Sequence, residues 1–317
     1  MKLRPLIPEK RDERKNLVMT YQAWLNTQGA KLKVDGKFGD DTETAAAGAK
    51  PPAEVVVPPI CVWTDRSWKD TAAFQRSLVT AQQNYGFKPA RVGLFLNPLD
   101  EKAFKPFASA SQLSETVGML AEAGIDADLT AWIRPSKSYI DALLKYAVPV
   151  LNAWKTARLD LDAESAWGSG SSVECADAAE YFHKAWKLGD RLSINDYASL
   201  QTDTRHLLRP GVRRRPQLYS VGYVAHSGSR VETTKSSVYY PGETQCYGMK
   251  ASLWGGVAGD GPLDIGLAAY KPVTGMTVEQ QVRAQVQSAL WFKPQELWFW
   301  SLRTDSKFLS ALGGLQG

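Results

Sequence analysis

The residues best suited to chemistry are Asp160, Asp162 and Glu164, which alternate with Leu159, Leu161 and Ala163 in the stretch from Ala157 to Trp167. A period of two predicts one strand, with three carboxylates on one face and the apolar residues on the other. Like charges so placed raise one another's pKa and cost stability. A barrel of parallel strands offers a setting for them: the leucines face the surrounding helices, the acids face the axis, and the last acid reaches the open end. A raised pKa is also what a general acid needs near neutral pH. The pattern therefore points to glycosidic-bond hydrolysis. Glu164 is the expected proton donor, Asp162 the stabiliser of the cationic centre, and Asp160, one pleat deeper, the group that tunes Asp162. The alternative is a structural acid row neutralised by barrel arginines.

The elements needed to hold such a row follow from the alternation of strand and helix signals after residue 55. Strands are predicted at Val55–Trp63, Arg91–Asn97, Ile125–Ile133, the acidic segment, Arg191–Tyr197, Gln217–Tyr223, Leu263–Tyr270 and Glu296–Leu302. Helical periodicity fills the gaps, at Ser67–Tyr85, around Leu113–Leu120, at Tyr139–Trp154 with an interruption at Pro149, at Val173–Leu188, and from Thr277 through Val282, Val286 and Leu290. Eight strands alternating with helices predict an α/β fold, a (β/α)8 TIM barrel. A doubly wound sheet competes, but no glycine-rich phosphate loop follows the first strand. The stretch from His226 to Asp260 lacks helical periodicity and predicts a β-hairpin insertion walling the catalytic rim. The run Arg213-Arg214-Arg215 falls before the predicted sixth strand, on the opposite rim, and reads as a solvated patch.

Reacting groups of barrel enzymes come from the C-terminal strand ends. Those ends supply Asp65, Asn97, Trp132, Arg134, Asp162, Glu164, Asn195, Asp196, Tyr197, Tyr219, Tyr223, Tyr270 and Trp298 or Trp300. Carboxylates, amides and aromatic rings, with histidines standing alone, describe a sugar cleft better than an esterase or metallohydrolase. Trp132, Asn195, Tyr197, Tyr223, Tyr270 and Trp300 are the expected sugar contacts. Asp65 is the candidate second carboxylate across the cleft. No metal or cofactor is expected. Eleven tryptophans and twelve tyrosines suit sugar rings. The net charge of +5 favours anionic bacterial surfaces without making a case for nucleic acid. Three scattered cysteines form neither a disulfide framework nor a zinc ribbon. No apolar run predicts membrane insertion, and Met1–Lys15 is too polar for a secretory signal. A monomer made in a reducing cytosol is the expectation.

Residues 1–50 read as a separate small all-α module and 51–59 as a proline-rich linker, leaving 60–317 for the barrel. Within the module, Val18, Tyr21, Gln22 and Leu25 make an amphipathic helix, followed by Val34-Asp35-Gly36-Lys37-Phe38-Gly39 and a second helical turn from Thr42. The Asp-Gly step permits a tight turn, and Phe38 would anchor it. This stretch resembles the helical peptidoglycan-binding module, with Tyr21 where that family has leucine. The resemblance implies cell-wall binding through Asp35, Gly36, Phe38 and Gly39. A helical hairpin docked on the barrel without a ligand is the other reading.

The Asp-x-Glu of Asp162 and Glu164 resembles the fourth-strand motif of the family 25 lysozymes. The longer Asp160-x-Asp162-x-Glu164 is similar to the end of the family 18 chitinase motif, though Ala157 stands where that motif begins with Asp. Trp298-Phe299-Trp300-Ser301-Leu302 resembles the last strand of family 18, where a Trp floors the sugar site. A wall-binding module joined to a barrel glycosidase looks like a modular phage endolysin. That resemblance implies a muramidase acting on peptidoglycan, held in the host cytoplasm until lysis. A glucosaminidase, a chitinase-like enzyme and a non-catalytic wall-binding protein remain open.

Overall fold

The computed structural model describes residues 22, 26, 30–35, 37, 40–41, 45, 57–64, 68, 70–98, 101–197, 203–217, 224–226, 229–231, 261–268, 277–279, 282, 286, 289, 294–302 and 306–316. In chain order these form β1 (Ile60–Thr64), α1 (Thr71–Tyr85), β2 (Arg91–Phe95), α2 (Ala110–Glu122), β3 (Asp126–Trp132), α3 (Lys137–Ala153) and β4 (Arg158–Asp162). There follow α4 (Glu164–Trp167), α5 (Ser172–Ala185), β5 (Leu192–Tyr197), β6 (Arg213–Gln217), the pair β7 (Val224–His226) and β8 (Ser229–Val231), β9 (Ile265–Ala268), β10 (Leu297–Leu302) and α6 (Ser306–Gln316). Eight parallel strands close into a barrel in the order β1-β10-β9-β6-β5-β4-β3-β2. This is the (β/α)8 architecture that the alternation predicts.

Alternation along each strand divides the core in two. Leu129, Leu159, Leu161, Ile194, Leu267 and Phe299 belong to one large cluster with α1–α3, α5 and α6. Cys61, Trp63, Phe95 and Trp298 form a second cluster, with Trp132 and Trp300 packed on it. Helix starts are built locally. Ser109 and Ser171 each cap a helix through reciprocal bonds with Gln112 and Glu174, and Asp70 accepts from the Ala73 N–H at 2.9 Å. Val278, Val282, Val286 and Ala289 are helical and buried; Val282 and Val286 are two of the three residues expected to face inward there, and the third, Leu290, lies outside the described residues.

Several boundaries differ from the sequence reading. The β1 strand begins at Ile60, not Val55, and α5 ends at Ala185. Pro149 does not interrupt α3, which runs through it from Lys137 to Ala153. A buried stripe on both sides, from Tyr139 and Ile140 to Val150 and Leu151, holds that helix together despite the missing N–H. The sixth strand is Arg213–Gln217, earlier than the predicted Gln217–Tyr223, so the arginine run is part of the barrel wall. Val224–His226 and Ser229–Val231 pair antiparallel, and 227–228 and 232–260, most of the stretch expected to hold the insertion, lie outside the described residues. In the N-terminal segment, Gln22 and Asn26 are helical, as are Asp40, Asp41 and Ala45. Gly36, Phe38 and Gly39 lie outside the described residues.

Candidate active site

The barrel lumen is built in layers, and the lowest is ionic. Arg91 pairs with Asp126 at 2.7 Å and Asp128 at 2.8 Å, Arg158 with Glu296 at 2.9 Å, and Arg213 with Asp264 at 2.6 Å. At the centre stands Arg215, fully buried, 2.8 Å from Asp128, 2.9 Å from Asp160 and 3.3 Å from Asp264. Its guanidinium lies 3.7 Å from the Trp298 ring centroid and 5.7 Å from that of Trp63, so cation–π attraction joins the ion pairs. The guanidinium charges of Arg91 and Arg215 hold the Asp128 carboxyl well below the usual range against its burial. Burial and the Glu296 charge push Asp264 up to about 6, with Arg215 and Arg213 opposing.

The arginine run is thus not the solvated patch that the sequence reading expects. Alternation turns Arg213 and Arg215 inward, and Arg215 meets acids from β3 and β4 and from the residues leading into β9 and β10. A buried guanidinium is tolerated only with such partners.

Above it, the Trp63 indole crosses the lumen. One end lies against Gly93 of β2 and the other against Gly266 of β9. Both positions leave room for the ring by lacking a Cβ. Its Nε1 donates to Asp160 Oδ2 at 3.2 Å. Asp160 also accepts from Thr130 at 3.1 Å and Ser193 at 2.7 Å. Burial pushes its pKa up, and Arg215, Ser193 and Trp63 oppose that shift. Trp63, Thr130, Ser193 and Arg215 thus hold Asp160 from inside the barrel.

One pleat higher the surroundings reverse. Asp162, 2% exposed, ends β4 in register with Trp132 on β3 and Asn195 on β5. Burial raises its pKa well above the ordinary value, and the charges of Glu164, Asp160 and Asp196 raise it further. The Glu164 backbone N–H donates to it, and Gln217 Nε2 lies 3.4 Å from its Oδ1.

Glu164 is not on the strand face with the two aspartates. The strand ends at Asp162, Ala163 turns into the right-handed helical region (φ −95°, ψ −3°), and Glu164 opens the one-turn helix α4. The chain turns because Ala163 N–H bonds across to Asn195 O at 2.9 Å and Trp167 N–H bonds back to Ala163 O at 3.2 Å. The consequence is a half-exposed Glu164 standing close enough to Asp162 to act on its charge.

Trp132, the register neighbour of Asp162, belongs to a group of aromatic rings in the lumen. Phe95 stacks edge-on to Trp300 at 4.8 Å and lies 5.7 Å from Trp132, and Trp63 lies 6.3 Å from Trp300. Trp132 and Trp300 are half-exposed, whereas Trp63 and Phe95 are buried beneath them. Trp132 is held from behind: its carbonyl accepts from Tyr139 Oη at 2.9 Å and from Asn97 Nδ2 at 3.3 Å. Asn97 thus serves the wall. Arg134 spans two rim loops by donating to Glu101 O at 2.9 Å and Ser169 Oγ at 3.4 Å.

Of the sequence-derived site residues, Asp160, Asp162, Asn195 and Trp132 lie on adjacent strands. Trp300 joins them through Phe95. Tyr197 closes β5. Asp65, Tyr219, Tyr223 and Tyr270 lie outside the described residues. Trp63, Arg215 and Gln217 line the lumen without standing among the sequence-derived site residues, Arg215 being expected in a solvated patch. Extending the period of two back from Gln217 through Pro216 would have put Arg215 and Arg213 inside.

In the N-terminal segment, Asp35 Oδ1 accepts from Lys37 N–H at 2.9 Å, which closes a tight turn. Gln22 secures it, with Nε2 donating to Lys37 O at 2.9 Å and Oε1 accepting from Asp35 N–H at 3.0 Å.

No protein-family model matches the chain, and no curated protein sequence matches it. Solved structures do resemble it. The exo-β-1,4-mannosidase Op5Man5 from Opitutaceae bacterium strain TAV5 superposes with a TM-score of 0.52 at 13% identity, over 80% of this chain and 55% of that one. A GH113 β-1,4-mannanase gives 0.50 at 9% identity, over 81% of this chain and 97% of that one. A ruminal GH26 endo-β-1,4-mannanase gives 0.46 at 12%, over 82% of this chain and 63% of that one. This chain thus spans less than two thirds of the mannosidase and of the ruminal mannanase. Family 18 chitinases stand among the same neighbours. All are glycoside hydrolases, and at these identities the likeness is one of fold.

Proposed function

We propose that the chain is a glycoside hydrolase that cleaves the β-1,4 bond between N-acetylmuramic acid and N-acetylglucosamine in peptidoglycan, the activity of a phage endolysin. The observation that carries the hydrolytic part is the Asp162–Glu164 pair where β4 ends and α4 begins, with the half-exposed Trp132 in register with Asp162. Burial and the Glu164 charge raise the Asp162 pKa, and two carboxylates this close hold a proton between them more readily than they both ionise. Glu164, the more exposed, delivers it to the leaving oxygen. Asp162, left ionised in a dry layer, faces the positive charge at the anomeric carbon, directly or by holding the substrate acetamido group as internal nucleophile.

Asp65 is the candidate for a second carboxylate across the cleft. A separation of about 5 Å from Glu164 would give direct retention, and roughly 6.5–9.5 Å would leave room for a water. Trp132 and Trp300 offer flat faces to sugar rings, and Asn195, Tyr197, Tyr223 and Tyr270 supply polar contacts. The choice of peptidoglycan rests on the turn at Asp35 and on the resemblance of 18–45 to a wall-binding module. The expected setting is the host cytoplasm until lysis, with the enzyme acting as a monomer and without metal or cofactor.

The test is mass spectrometry of fragments released from purified peptidoglycan by wild type and by Glu164→Gln. Fragments ending in reducible muramic acid, absent with the variant, support the muramidase. Reducible glucosamine ends would move the cut to the other bond. Turnover of chitin or β-mannan oligosaccharides alone would keep the hydrolase and overturn the wall substrate. Binding to walls with no release from any glycan would overturn the enzyme.

A further inference from the structure

Resting on the hydrolytic reading of the mouth, we infer that Gln217 is a positioning residue that stabilises Asp162 as an anion at the moment its shared proton leaves. Nothing in the sequence patterns singles out Gln217, since it falls at the end of an arginine-rich strand. Its place in the barrel does. It ends β6, is 4% exposed, and its Nε2 lies 2.7 Å from Asn195 Oδ1 and 3.4 Å from Asp162 Oδ1. An amide nitrogen has two protons to give, and here both acceptors belong to the mouth layer. Asn195 takes one in a short bond, which fixes the plane of the amide. The other proton is thereby aimed at the carboxylate.

The charges around Asp162 show why a donor is needed. Glu164 on α4, Asp160 on β4 itself and Asp196 on β5 are acids that act on it. From β3 its register neighbour is the neutral Trp132. From β6 the nearest cation is Arg215, two residues below Gln217, and its nitrogens lie on Asp128, Asp160 and Asp264. Among the described residues, the donors to Asp162 are thus the Glu164 backbone N–H and Gln217 Nε2. When Glu164 passes the proton to the leaving group, both carboxylates are briefly ionised, and that of Asp162 is buried. A preorganised donor acts most strongly at such a point, because it makes its contribution where charge develops.

The Asn195–Gln217 contact also gives Asn195 a role apart from touching sugar. If Asn195 works by holding Gln217, its loss mimics the loss of Gln217. A sugar contact would instead weaken substrate binding and leave kcat alone.

The experiment compares Gln217→Met, Asn195→Ala and the double variant. Met keeps the length and removes the donor. Expected for Gln217→Met is a fall in kcat of about 10²-fold with KM little changed, and an acidic limb of the kcat profile moved to higher pH. The double variant should lose no more than the worse single one, since coupled residues are not additive. The Asp162 carboxyl is also titrated by carbon-13 NMR in the free protein, a readout that needs no turnover. Its midpoint should rise in Gln217→Met, because an N–H donor favours the ionised form. An unchanged midpoint in a folded Gln217→Met protein overturns the inference whatever the substrate proves to be. A raised midpoint in a protein that cleaves no glycan would leave the positioning role standing and overturn the hydrolytic reading instead.

Discussion

Asp160 and Asp162 stand two residues apart on the same face of the same strand, and both are buried. They differ in what surrounds them. Asp160 meets a guanidinium at 2.9 Å and hydrogen bonds from Ser193, Thr130 and Trp63. Asp162 meets the charges of three acids and two neutral N–H groups. Burial raises the pKa of both, but in the lower layer Arg215 and the hydrogen bonds from Ser193 and Trp63 oppose the shift, whereas in the upper one three acids add to it. On the proposed reading, one sequence motif would serve both scaffold and chemistry, a single pleat apart: Asp160 as the acid neutralised by a barrel arginine, Asp162 as the one that faces substrate.

The largest effect that would break this contrast is expected at Arg215. Arg215→Met removes the cation that Asp128, Asp160 and Asp264 share. Arg91 and Arg213 still hold Asp128 and Asp264, but Asp160 loses its cation, and a buried carboxylate left unpaired costs about 3–5 kcal/mol, a large part of the 5–15 kcal/mol typical of a domain. Urea unfolding should show the loss, or the variant should fail to fold at 37 °C. Native stability in Arg215→Met would mean that the lower layer does not depend on its central charge. At the mouth the order of effects inverts: Glu164→Gln should lower turnover by about 10²–10⁴-fold and leave the unfolding midpoint where it was. A variant that hydrolyses glycan at the wild-type rate would remove Glu164 from the chemistry.

Between the layers lies Trp63, and Gly93→Ala tests how tightly it is held. A methyl group there would run into the Trp63 indole and approach Thr130 Oγ1 to 3.0 Å. Overpacking of this kind costs about 1–3 kcal/mol. Because Trp63 Nε1 donates to Asp160, the strain should also reach the mouth as a lower kcat. Stability lost without any change in kcat would show that the layers are mechanically independent.

How much of this was legible in the sequence differs by layer. Leu159 and Leu161 alternating with Asp160 and Asp162 marked a strand inside a barrel, because side-chain direction follows a strict period. The end of that strand was not legible. Continuing the alternation to Glu164 ignored the turn at Ala163, which is set by a bond to Asn195 O on a neighbouring strand. Arg215 was missed for a similar reason: three consecutive arginines look like surface until the acids that neutralise them, up to 87 residues distant in sequence, are brought together. Gln217 carried no signal at all, since its importance lies in two acceptors on other strands. Local periodicity set the elements, and cross-barrel neighbours set the chemistry.

The smallest effect is the one that sharpens the comparison most, because its sign is opposite for the two aspartates. Burial and three negative neighbours raise the Asp162 pKa in the folded protein above its unfolded value. A group with a raised folded pKa contributes stability fully below its unfolded pKa and loses it as pH climbs toward the folded one. At pH 7 the Asp162 carboxyl therefore weighs against the fold. Asp162→Asn, neutral at every pH, should raise Tm at pH 7, and the gain should fade as pH falls toward 4. Asp160→Asn should do the reverse at pH 7: burial raises the Asp160 pKa as well, but the change leaves Arg215 short of the acid that lies 2.9 Å away. Differential scanning calorimetry of the two variants at both pH values reads this directly. Parallel shifts in the same direction would mean that the two layers are electrostatically alike, and the division between scaffold and site would have to be drawn elsewhere.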